Sequence, residues 1–162
     1  MAYDAFLKLD DITGESQKEN HTGEIDIMSF SWGASNSSSV GTGTGVSVGK
    51  VSVSDFSIMK STDSSSPVLF QKSCDGTVIP TAVVTLQRQV AGKATPYLVY
   101  TFTNVYVTSV QWSGSGGAGD APMESVSFTF ETGAVDYTPL NDDGSGGSPV
   151  HGGWNVGENV KA

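Results

Sequence analysis

The sequence predicts a mainly β protein with a single short helix, and three observations predict it. Twenty glycines are spread among many Ser and Thr residues, a composition that favours frequent turns and β-rich architecture. Segments in which apolar and polar residues alternate recur along the chain, which is the two-residue period of a half-buried strand. Only one stretch carries both a start and a stop signal for a helix. With 162 residues, 37% of them hydrophobic and 15% charged, the chain is long enough to bury a genuine core, and one domain over 1–162 is expected.

Tyr3, Ala5, Leu7 and Leu9 alternate as a first strand. Ile25 and Ile27 are followed by Phe30 and Trp32, and Val51 and Val53 by Phe56 and Ile58. Each one-residue change of phase predicts a β-bulge, the device that bends strands for barrel closure. In the strand from Met28 to Gly33, Phe30 and Trp32 must be buried on one side. Ser29 and Ser31 then fall on the opposite face.

The helix is expected over about 67–74, with Ser66 as cap, Pro67 at the first helical position and Gly76 as the stop. At roughly two turns it has to pack on a sheet. Ala82 to Val90 puts Val84 and Leu86 on one face and Thr85, Gln87 and Gln89 on the other. Glu124 to Thr132 is a half-buried strand, with Val126, Phe128 and Phe130 between Ser125, Ser127 and Thr129. Tyr97 to Trp112 is apolar on both faces for part of its length. Such a strand implies two packed sheets, a closed barrel, or burial by a neighbouring subunit. Glycine-rich or loose stretches run from Gly41 to Gly49, Gly114 to Gly119 and Asn141 to Ser148.

The residue chemistry argues against several functions. A net charge of −9 with eight Lys plus Arg repels phosphate backbones, so no nucleic-acid partner is expected. The start has no basic head followed by an apolar run, and no stretch approaches the ~20 apolar residues of a membrane helix. Leaderless export and no membrane insertion are therefore expected, with no further domain after Ala162. The lone Cys74 leaves no internal disulfide, and it is expected to serve packing.

Gly114 to Gly119 matches G-x-G-x-x-G but lacks the helix that a dinucleotide site needs. Asn141 to Gly144 lacks the closing Glu of a calcium loop, with Val150 in that place. His21 and His151 sit in loop-like sequence, where a loop hydrogen bond is the expected role, and no nucleophile motif accompanies them. Trp32, Trp112 and Trp154 are expected to be buried in the core or an interface. No catalytic, cofactor-binding or metal-binding residue is assigned.

Gly14-Glu15-Ser16, His21, Ile25-Asp26-Ile27 and Phe30-Ser31-Trp32-Gly33 follow one another in an order and spacing that resembles the haemolysin-coregulated protein (Hcp) family of type VI secretion. The likeness continues through Ser66-Pro67-Val68-Leu69, Glu124 to Phe130, Val135-Asp136-Tyr137 and Gly153-Trp154-Asn155. The resemblance implies a small antiparallel β-barrel of two packed sheets with one short helix, and a structural role with no catalytic residues.

It further implies hexameric rings that stack into the inner tube of a contractile, phage-tail-like injector. The implied partners are further copies of the chain, a spike protein of the valine–glycine repeat family, a contractile sheath and small effectors carried in the lumen. Such a protein is made in the bacterial cytoplasm and exported to the medium or a target cell. On this reading Ser29 and Ser31 are the lumen-facing candidates. Val40, Gly41, Thr42, Gly43, Thr44, Gly45, Val46 and Val48 are the candidates for an extended loop that reaches an adjacent ring. The alternative is a secreted β-sandwich module that binds carbohydrate or a surface through its tryptophans.

Overall fold

The structure, a computed structural model, describes residues 3–40, 46–116 and 121–162. Its elements are β1 (Asp4–Leu9), β2 (Ile25–Ile27), β3 (Ser29–Ser31), β4 (Ala34–Val40), β5 (Val46–Val53), β6 (Phe56–Ser61), α1 (Ser66–Asp75), β7 (Ile79–Val90), β8 (Lys93–Ser113), β9 (Met123–Tyr137), β10 (Val150–Asn155) and β11 (Val160–Lys161). Every strand pairing is antiparallel. β1 lies between β2 and β7, β8 between β7 and β9, and β6 between β9 and β3. Because β2 runs into β3 through Met28 alone, whose amide donates to the Met59 carbonyl at 2.8 Å, these pairings close into a barrel. β9 is long enough to serve two neighbours on one edge: β6 along 123–128 and β10 along 132–137.

Both phase shifts prove to be strand handovers rather than bulges. Ile25–Ile27 pairs with β1, whereas Ser29–Ser31 pairs with β6. Val51 and Val53 belong to a separate two-stranded sheet of β4 and β5, while Phe56 and Ile58 belong to the barrel. A change of partner resets the side-chain phase as a bulge does, so the sequence pattern is the same. True bulges lie between Asn36 and Ser38, Leu86 and Gln87, and Val107 and Ser109.

The expected loop from Gly41 to Gly49 is also shorter than its composition implies. Val40 ends β4, and Val46, Val48 and Gly49 lie in β5, with Val40 opposite Val46. Gly49 is required there, since a Cβ would stand 2.4 Å from the Ser37 carbonyl oxygen of the bulge. Gly41 to Gly45 lie outside the described residues, as do Gly117 to Asp120 of the other glycine-rich stretch.

The barrel interior is a cluster of aromatic and branched side chains. Phe56 is fully buried at its centre, stacked on Phe30 at 5.7 Å and on Phe128 at 5.4 Å between ring centroids. Phe102 and Tyr100 close around it at 5.1 and 5.6 Å. Trp32 is partly buried against Phe102 and Phe130. Gly133 admits these rings, because a Cβ there would lie 2.9 Å from Phe130 and 3.1 Å from Trp32.

β7 departs from its expected two-faced character. Thr85 and Gln87 are buried rather than wet, because the segment between β1 and β2 folds over them. Phe6 stacks on the His21 ring at 4.3 Å, and His21 Nε2 lies 3.0 Å from Gln87 Oε1. The Gly14 amide donates to the Gly23 carbonyl and the Ser16 amide to that of Glu24. A Cβ on Gly14 would stand 2.6 Å from the Glu24 oxygen, so that position admits only glycine without backbone movement.

The helix is present, one residue longer at each end than expected. Ser65, not Ser66, occupies the cap position and makes no side-chain cap bond. The Ser66 hydroxyl instead accepts from the Asp63 amide and from Lys60 Nζ, each at 3.0 Å. Gly76 ends the helix in the left-handed region at φ 69°, where a missing Cβ removes the steric penalty.

Candidate functional site

The outer face of the barrel across β3, β6, β9 and β8 carries small polar side chains from four neighbouring strands. Inward positions of these strands hold Phe30, Ile58, Val126 and Phe128, so alternation sends their neighbours outward. Register then aligns them into rows. Ser31 faces Ser57, Ser57 faces Ser127, and Ser127 faces Ser109. The next row is Ser29, Met59, Ser125 and Gln111. Ser57 and Ser127 share a hydrogen bond at 2.8 Å. Both rows are uncharged, on a chain of net charge −9.

Ser29 and Ser31 thus lie together, both exposed, along a shallow depression of about 260 Å³ that Ser57, Met59 and Ser125 also line. The sequence reading missed Ser57, Ser109, Ser125, Ser127, Met59 and Gln111. Ser125 and Ser127 are legible as the polar side of their strand, but only register joins them to the others as one surface.

One end of this surface rests on a buried polar network. Lys60 and Glu124 are 1% and 0% exposed and pair at 2.9 Å. Lys60 Nζ also donates to Asp63 Oδ1 at 2.9 Å and to the Ser66 hydroxyl. Asp63 Oδ1 in turn accepts from the Ser65 amide and hydroxyl. The network ties β6 and β9 to the start of α1.

The hairpin of β4 and β5 meets the barrel at an open apolar groove of about 300 Å³. Val51, Val53, Trp32, Val135 and Trp154 line it, together with Gly152 and Gly153. The indole N–H of Trp154 is buried there without a partner among the described residues.

The remaining candidates separate. His21 is 7% exposed and sits between Glu24 Oε2, at 2.9 Å, and Gln87. His151 is on strand β10 rather than in a loop, and its Nδ1 lies 2.7 Å from Asp136 Oδ1. Cys74 is exposed, which overturns a packing role. Trp112 is 44% exposed and so stands outside the core, where it rests on Phe70 of the helix at 5.6 Å.

A family model described as the type VI secretion system effector Hcp matches residues 6–137. The chain belongs to the Hcp family. It is 40% identical, over the full length of both chains, to the protein hcp1 of Pseudomonas aeruginosa. A solved structure of a type six secretion system protein superposes with a TM-score of 0.92 at 32% identity, covering 99% of this chain and 100% of that one. Hcp1 from Salmonella typhimurium gives 0.81 at 33% identity, with complete coverage of both chains. This Hcp chain is therefore a structural tube protein of type VI secretion. No helix among its described residues is long and apolar enough to cross a membrane.

Proposed function

We propose that six copies of this Hcp chain form a ring, that rings stack into the inner tube, and that the serine face of β3, β6, β9 and β8 lines the lumen. The observation that carries this reading is that face. It is wide, uncharged and built mainly from small hydroxyls, with Met59 and Gln111 among them, on an otherwise acidic chain. Such a surface admits proteins of varied composition without gripping them, as a channel for small effectors must. The spike protein, the contractile sheath and the carried effectors are partners on the same reading. Export proceeds to the medium or a target cell.

Ser31→Gln tests the lumen assignment. Ser31 is exposed while Phe30 and Trp32 stay packed beneath it, so rings should form with stability changed by less than ~1 kcal/mol, as for a surface site. Effector co-purification should fall. A variant that forms rings and retains effectors at the wild-type level would show that Ser31 makes no lumen contact.

The β4–β5 hairpin, including Val40, Val46 and Val48, and the residues between them in sequence, Gly41 to Gly45, are proposed to bridge adjacent rings. Support comes from the hairpin's isolation, since a two-stranded ribbon is marginal in water on its own. Six copies at −9 each also make rings repel, an effect that salt screens over ~10 Å at 0.1 M. Tubes should lengthen with salt, and deletion of Thr42 to Thr44 should shorten them while single rings persist. Electron micrographs with unchanged tube lengths in that variant would remove the hairpin from the stacking contact.

A further inference from the structure

We propose that His151 is a proton-operated latch that holds strand β11 on the outer edge of β10. β11 is attached by a short ladder, Trp154 opposite Lys161 and Asn155 opposite Val160, and by the Ala162 amide donating to the Gly153 carbonyl at 3.2 Å. Across this ladder His151, on β10, joins β9 to the residue that follows β11. Its Nδ1 meets Asp136 Oδ1 of β9 at 2.7 Å, and its Nε2 meets the main-chain oxygen of Ala162 at 3.2 Å.

Both partners are acceptors, and neither has a hydrogen to offer. An imidazolium donates from both nitrogens, so it satisfies both contacts at once. A neutral ring has one N–H. Kept on the closer carboxylate, that hydrogen leaves an Nε2 lone pair facing the Ala162 oxygen, and the contact becomes repulsive. The charged groups on the strands packed against His151 are Asp136, directly opposite on β9, and Lys161 on β11.

The hydrogen bond to Asp136, then that to Ala162, and then the Asp136 charge raise the His151 pKa above its ordinary value. A raised histidine stabilises the latched state fully below the ordinary value near ~6.5 and loses that contribution as pH climbs through the raised folded value. The latch is therefore closed in mildly acid solution and opens on the alkaline side. Opening frees the backbone of β10 near Gly153 and Trp154, a sheet edge to which another strand can add.

Hydrogen–deuterium exchange of the whole protein, normalised to intrinsic rates, tests this at about pH 5.5 and about pH 9, on either side of the histidine range. Protection of the segment from Asn159 to Ala162 should fall several-fold at the higher pH, while Ile79–Val90 stays protected. His151→Gln should abolish that dependence. Gly153→Ala, whose Cβ would stand 2.8 Å from the Ala162 oxygen, should give low protection at both values. Wild-type protection that does not change with pH would overturn the latch. So would equal pH dependence in His151→Gln, or wild-type protection in Gly153→Ala.

Discussion

Lys60→Ala is expected to destabilise the protein by about 3–5 kcal/mol, because it strands a buried carboxylate. Glu124 is fully buried, and the contact it makes is to Lys60 Nζ at 2.9 Å. Its second oxygen has no partner among the described residues, so removing the ammonium leaves both oxygens uncompensated. The same ammonium serves Asp63 and Ser66, and its loss also loosens the start of α1. The double variant Lys60→Met with Glu124→Leu should recover most of the loss, since an apolar pair of similar size replaces a buried ion pair at little cost. Denaturant unfolding at fixed protein concentration reads both. A Lys60→Ala midpoint near wild type would show that the pair contributes little.

Phe56→Ala should cost about 3–5 kcal/mol, the range for truncating a buried aromatic. Phe56 contacts rings contributed by three other strands, Phe30 on β3, Tyr100 and Phe102 on β8 and Phe128 on β9, with Trp32 just after β3. These rings are fixed to different strands of a closed barrel and cannot collapse into the space left. Phe56→Leu should recover part of the loss, and thermal unfolding that is equal for Phe56→Ala and Phe56→Leu would mean that the barrel relaxes around the void.

Much of this architecture is legible in local pattern. The alternation of Val126, Phe128 and Phe130 reports β9 directly, and Pro67 with Gly76 brackets α1. Ser29 and Ser31 could be placed outward because Phe30 and Trp32 had to be inward. The rest depends on register, which links residues far apart in sequence. Ser57, Ser109, Ser125 and Ser127 become one face only when β6, β9 and β8 align.

The Lys60–Glu124 pair left a readable signal. Lys60 continues the inward phase of Phe56 and Ile58, and Glu124 that of Val126 and Phe128. Two charges at core-phase positions in different strands imply a buried pair. The cover over β7 was not readable, since the segment containing Gly14 and Ser16 is held by main-chain bonds rather than by any periodic pattern.

The central claim is that copies of this chain build a ring, and the mass of the purified protein in solution measures it most directly. Each chain contributes 16.8 kDa. Size-exclusion chromatography with multi-angle light scattering, at micromolar protein, should give six times that mass as one stable species, with rings of one diameter in negative-stain images. A stable monomer at that concentration would contradict the account.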